Sequence, residues 1–194
     1  MSFLRYLLQN SDWLHEELDK SGDDDYVIID CPGQIELYSH LPIMRDLVKE
    51  IEGWGFRCVC VYLIDALFVL DPSKFVSGCM LSLSCMMQLE LPQINVVTKC
   101  DMVDKAAVQA ILDLESTSNF LVDKTVPKNM RRLTSAISSV VDDYMMVGFV
   151  MLDPTEEESI ELVVQHTDHA IQYGEDLEPK DFEDKEENGD ENND

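Results

Sequence analysis

Tyr26-Val27-Ile28-Ile29-Asp30-Cys31-Pro32-Gly33-Gln34-Ile35-Glu36 is the stretch from which the fold is read. A β-branched apolar run that ends on a carboxylate and turns at Pro-Gly is the pattern of a buried parallel strand delivering an Asp to the carboxyl edge of a sheet. In such sheets ligands bind at that edge. The pattern predicts a strand over 26–30 and then a loop where Asp30, Gly33, Gln34 and Glu36 gather polar groups suited to phosphate and metal chemistry. Gly33 adds a backbone N–H that no Cβ shields. As a switch loop, it has Asp30 holding Mg²⁺ through water, the Gly33 N–H sensing a γ-phosphate and Gln34 orienting an attacking water, with Glu36 supporting that water or the metal shell. Asp-x-x-Gly alone is also an ordinary turn with a capping Asp, and the loop by itself does not choose between the two.

Before this stretch, Phe3, Leu4, Leu7 and Leu8, then Trp13, Leu14 and Leu18, recur at helical spacing, with Ser11 or Asp12 as the cap of the second piece. After it, Leu41-Pro42 opens a helix whose apolar stripe is Ile43, Leu47, Val48 and Ile51, stopped at Gly53 and Gly55. Cys58 to Asp65 is apolar at successive positions and predicts a second interior parallel strand, again ending on an acid, Asp65. Asp71-Pro72 starts a long helix to about Glu90, apolar almost all round. It reads as a core helix, or else as a partner-binding face built on adaptable Met side chains. Gln93 to Thr98 is a third strand, followed by a helix around 105–114, another from about 129 to 144, a strand over 147–152 and a last helix running to about Tyr173. Strand and helix alternate throughout, so the fold class is α/β with a mostly parallel sheet.

The third strand ends in Thr98-Lys99-Cys100-Asp101. At the carboxyl end of such a strand, an aspartate accepts the N1 and N2 hydrogens of guanine together, a match that adenine does not offer. A lysine stem lies along base and ribose. Lys-x-Asp in isolation is a common solvated turn, but following the 30–36 loop on a later strand it points to guanine-nucleotide binding.

The net charge is -25, from 14 basic and 39 acidic residues. Binding to nucleic-acid phosphates or an anionic membrane needs clustered Lys and Arg, which this balance does not supply, so no direct nucleic-acid and no membrane contact is expected. From Glu175 onward, 11 acids stand against 2 lysines with few apolar residues, which predicts a disordered acidic tail over 175–194 behind a domain over 1–174. None of the six cysteines forms a Cys-x-x-Cys pair or stands beside a histidine at zinc spacing, so free thiols in a reducing, cytoplasmic setting with nuclear access are expected.

Three runs carry a family resemblance: Asp-Cys-Pro-Gly-Gln-Ile-Glu-Leu-Tyr at 30–38, Leu-Pro-Gln-Ile-Asn-Val-Val-Thr-Lys-Cys-Asp at 91–101 and Gln-Tyr-Gly-Glu-Asp-Leu-Glu at 172–178. Together they resemble the GPN-loop GTPases. The resemblance implies a P-loop GTPase-like sheet and GTP with Mg²⁺ as cofactors. It also implies a dimer, with a sister paralogue or a second copy, that hydrolyses GTP and serves RNA polymerase II assembly and nuclear import. By position, Asp30 stands by Mg²⁺, Gly33 by the γ-phosphate, and Gln34 and Glu36 by the attacking water. Thr98, Lys99, Cys100 and Asp101 form the guanine site, and the loop near Asp153 and Pro154 lies against the other side of the base. The chain contains neither Gly-x-x-x-x-Gly-Lys-Ser/Thr nor the Gly-Pro-Asn loop. The N-terminal strand and P-loop of the family pattern are therefore expected to be missing, leaving apolar inner edges on the neighbouring strands and only weak hold on GTP. A nucleotide-independent module that binds a sister GTPase is the alternative expectation.

Overall fold

The computed structural model describes residues 2–22, 25–39, 41–113 and 148–174, with 132, 135–137 and 139–140 between them. Helices α1 (Ser2–Gln9) and α2 (Ser11–Leu18) come first; α2 begins after Asn10, which makes no side-chain cap bond, so neither Ser11 nor Asp12 is the cap. A short helix α3 (Glu36–Ser39) precedes α4 (Ile43–Gly53), which buries Ile43, Leu47 and Ile51 as its apolar stripe requires. Strand β1 (Cys60–Asp65) runs into a short helix α5 (Ala66–Val69), and α6 (Pro72–Leu89) follows with Asp71 accepting from the Ser73 and Lys74 amides. Strand β2 (Gln93–Thr98), helix α7 (Lys105–Leu112), strand β3 (Phe149–Met151) and helix α8 (Glu157–Ile171) complete the order.

The three strands form one parallel sheet in the order β1-β2-β3. Cys60 lies opposite Gln93 and Asp65 opposite Thr98; Asn95 to Val97 lie opposite Phe149 to Met151. Central β2 buries Ile94, Asn95, Val96 and Val97 on both faces, with the Asn95 amide oxygen accepting from Ser82 Oγ at 2.6 Å. One core joins Ile64, Val69, Phe75, Val97 and Val108 between sheet and helices. A second joins Leu18, Leu37, Leu47, Cys85 and Leu89 at the other end of α6. Gly78 lets α6 approach β1 closely, since a Cβ there would stand 2.4 Å from Ile64 Cδ1.

Two sequence expectations change. Tyr26–Asp30 joins no sheet: the segment is irregular and exposed, with Ile28 91% accessible. Its first residue is tied elsewhere, the Tyr26 hydroxyl donating to Asp168 on α8 and its ring meeting Tyr173 edge-on at 5.5 Å. Nor is β1 an interior strand. Among the described residues no strand pairs with its outer edge, and Val61 and Leu63 are 42% and 60% exposed. Helix α6 is a core helix along one side. Phe75, Cys79, Cys85 and Leu89 are buried, while Met80, Leu81 and Met87 face water. Of the predicted helix over 129–144, residues 132, 135–137 and 139–140 are described and are helical, while the rest of it lies outside the described residues, as do the 175–194 tail and Val147 of the predicted strand. No described helix is long and apolar enough to cross a membrane.

Candidate functional site

The carboxyl ends of β1 and β2 meet at one edge of the sheet, where chain direction and register bring Asp65 and Thr98 opposite each other. Thr98 donates its hydroxyl to the Ile64 carbonyl at 3.3 Å, stitching the two strand ends together. Lys99 turns the chain with φ 61, a left-handed conformation that side chains with a Cβ adopt at a cost of roughly 1–2 kcal/mol. A single 3₁₀ turn, Cys100–Met102, follows and is closed by the Met102 N–H on the Lys99 carbonyl at 3.1 Å. Cys100 is 1% exposed, its thiol donating to the Val97 carbonyl at 3.3 Å; it anchors the turn, while Asp101 stays in water. The four residues of the predicted guanine site are thus held as one preformed turn on the buried central strand.

Lys99 Nζ meets Asp65 Oδ2 at 2.7 Å, and Asp65 Oδ1 accepts the Leu67 N–H at 2.8 Å. The ammonium first, then the Leu67 amide, hold the Asp65 carboxyl below its usual range. A second braced carboxylate, Asp153, stands just past β3. It is 4% exposed, accepts from Lys105 Nζ, and takes the Thr155 amide at 2.9 Å and hydroxyl at 2.6 Å. Lys105 also reaches Glu156 at 2.6 Å, so one ammonium fastens the loop after β3 to the start of α7. Ser159 Oγ accepts the Asp153 N–H at 3.0 Å. The Lys105 ammonium, then the Thr155 hydroxyl and amide, hold the Asp153 carboxyl down at about 2. Because the folded value lies below the unfolded one, the stabilisation is complete above the ordinary carboxylate range and is lost as pH falls from about 4 through about 2. Thermal unfolding followed by circular dichroism should show this acid limb, and Lys105→Met should lower Tm at neutral pH by a few degrees and flatten the limb. An unchanged limb in Lys105→Met would mean that Asp153 is not held by that lysine.

The 30–36 loop lies elsewhere. Cys31, next to Asp30, meets the Tyr38 hydroxyl, which donates to the Pro32 carbonyl; around this group stand Cys60 and Cys85. Cys60 opens β1, so this is the amino end of the strand. The Asp65–Lys99 edge is five residues further on, about 17 Å at strand rise. Asp30, Gly33, Gln34 and Glu36 are all exposed there and are not brought together with Thr98–Asp101. Among the described residues no group of three or more His, Cys, Asp or Glu could hold a metal ion. Asp30 therefore does not form a Mg²⁺–triphosphate site with the Lys99 turn in this arrangement. The pairs Asp65–Lys99 and Lys105–Asp153 went unread in the sequence. The only signal was that two strands end on acids, Asp65 and, one residue after its strand, Asp153.

Comparison with known proteins gives the family. A family model described as "Conserved hypothetical ATP binding protein" matches residues 2–173. Among curated relatives, a protein of Dictyostelium discoideum named GPN-loop GTPase 3 is 47% identical over 185 residues, 91% of this chain and 64% of that protein. The protein of the same name from Danio rerio is 45% identical over 91% of this chain and 64% of its own length. That from Xenopus tropicalis is 42% identical over 97% and 68%. The chain thus spans about two thirds of the length of the relatives it matches.

Proposed function

Because the chain belongs to the GPN-loop GTPase family, we propose that it carries the guanine-reading part of a GTPase. In this reading the enzyme hydrolyses GTP as a dimer, with a sister GPN-loop GTPase or a second copy, and serves RNA polymerase II assembly and its entry into the nucleus from the cytoplasm. The observation that carries the nucleotide reading is the Thr98–Asp101 turn, preformed at the carboxyl end of the central buried strand, where open α/β sheets bind ligands. The family description speaks of ATP, whereas the relatives are named GTPases. Asp101 favours the second. A carboxylate accepts two hydrogens from guanine N1 and N2, and adenine carries no hydrogen at N1 and no amine at C2.

The catalytic roles stay with the loop: Gln34 and Glu36 orient water, Gly33 faces the γ-phosphate, and Asp30 stands toward Mg²⁺ through water. For these roles the 30–36 loop has to sit at the carboxyl edge of the sheet rather than beside Cys60.

One observation favours the second reading, an interaction module that binds a sister GTPase without nucleotide. Lys74, Lys99 and Lys105 at the carboxyl edge are each already paired with a carboxylate, Asp71, Asp65 and Asp153. With no Gly-x-x-x-x-Gly-Lys-Ser/Thr in the sequence, a triphosphate finds no P-loop lysine to neutralise it. Titration of the purified chain with a fluorescent GTP analogue and Mg²⁺, alone and with a sister GPN-loop GTPase, separates the two. Alone, the chain is expected to bind more weakly than about 1 μM, since the phosphate contacts dominate such sites. Sub-micromolar binding by the chain alone would overturn that expectation. Capture of the sister protein with no nucleotide response in the mixture would favour the module.

A further inference from the structure

We propose that Asp65 is a positioning residue for guanine recognition: its carboxylate holds Lys99 and so sets the shape of the Thr98–Met102 turn before any base arrives. The proposal rests on the guanine reading above and adds a residue to it. Both oxygens of Asp65 are committed, Oδ1 to the Leu67 N–H at 2.8 Å and Oδ2 to Lys99 Nζ at 2.7 Å. A carboxylate bonded at both oxygens has its plane fixed, so the ammonium it holds is fixed too. The pair joins the end of one strand to the residue after the end of its neighbour, with Asp65 opposite Thr98 in register. Lys99 is the residue where the chain turns left-handed, and its stem is drawn across the strand ends toward β1. That conformation is held from three further points: Thr98 on Ile64, Cys100 on Val97 and Met102 on the Lys99 carbonyl. A lysine left to wander would sample many rotamers and would have to be ordered on binding; one already held meets the base face at lower entropic cost.

Exposure decides what kind of role this is. The Lys99 side chain is 59% exposed and that of Asp65 25%, so the pair is half in water and contributes little to global stability. Its effect is local geometry.

Asp65→Asn separates the two jobs of the residue, because an asparagine oxygen still caps α5 at Leu67 but no longer carries the charge that holds Lys99. The test uses the purified 194-residue chain. Amide hydrogen exchange at Lys99 to Met102 is expected to rise about threefold in Asp65→Asn, with Val96 and Val97 unchanged. Lys99→Met should give the same rise, and the double variant no more, because both remove one interaction. Titration with mant-GDP, competed by guanosine, is expected to weaken about threefold in Asp65→Asn. Unchanged exchange at 99–102 overturns the proposal, and so does a rise in Asp65→Ala that Asp65→Asn does not share, since that assigns the effect to the helix cap. If exchange rises while neither the chain nor a longer form carrying a Gly-x-x-x-x-Gly-Lys-Ser/Thr segment gives a guanosine-competed signal, the guanine reading itself falls and Asp65 is left as a brace of the turn alone.

Discussion

Asp101→Asn is expected to move base preference from guanine toward xanthine by roughly 100-fold, measured in a longer form that carries a Gly-x-x-x-x-Gly-Lys-Ser/Thr segment. The magnitude follows from the bonds at stake. Two hydrogen bonds to a charged acceptor contribute about 1.5–3 kcal/mol each, and 1.4 kcal/mol is tenfold in affinity. An asparagine presents one acceptor and one donor where the carboxylate presents two acceptors. It therefore leaves a guanine hydrogen facing a hydrogen, while xanthine, with a carbonyl at C2, finds the complementary pair. Asp101 is exposed, and no hydrogen bond or ion pair of its side chain is seen among the described residues, so the substitution should leave the fold unchanged. Competition between GDP and XDP for the same site provides the measurement. A base preference that does not move would take Asp101 out of the site.

Phe75→Ala is expected to have the largest effect on stability, about 3–5 kcal/mol, because a buried phenylalanine loses both its transfer energy and the packing that collapse cannot restore. Phe75 is 1% exposed and its ring lies 5.6 Å from that of Phe149, so it ties α6 to β3. For a chain of this size such a loss lowers Tm by roughly 10 °C. Met87→Ala on the same helix, where the side chain is 72% exposed, is the control and should stay within about 0.5 kcal/mol. Equal Tm values for the two variants would mean that α6 does not bury the face described.

The sequence reading succeeded where a local pattern had one structural solution. Gln93–Thr98 is a strand with the bounds read for it, because four consecutive buried residues bracketed by Pro92 and a turn admit little else. Asp71-Pro72 starts α6 because a carboxylate at the cap and a proline in the first turn are both helix-initiating. It failed where the answer depended on a neighbour. Tyr26–Asp30 has the composition of a strand, but a strand exists only as a pair, and the nearest sheet edge is not where Tyr26 is anchored. Cys58–Asp65 reads as a strand ending on an acid, yet the same Asp65 also caps α5 through Leu67, a helix no local pattern announced. The site divided in the same way. The Thr98–Asp101 turn is contiguous in sequence and was legible as a turn at a strand end. The ion pairs that brace it span 34 residues for Asp65–Lys99 and 48 for Lys105–Asp153, distances across which no spacing rule operates.

The open edge of β1 bears on how the molecule behaves in solution. Among the described residues nothing pairs with the outer edge of Cys-Val-Tyr-Leu-Ile-Asp, and its exposed Val61 and Leu63 have no proline, lysine or bulge beside them, the usual guards against strand-to-strand association. What remains is long-range repulsion. A chain carrying -25 keeps its copies apart only while that charge is unscreened, and the Debye length shrinks from about 10 Å at 0.1 M salt to about 3 Å at 1 M. Colloidal stability thus rests on ionic strength and on distance from the isoelectric point near 4.2, rather than on the shape of the surface.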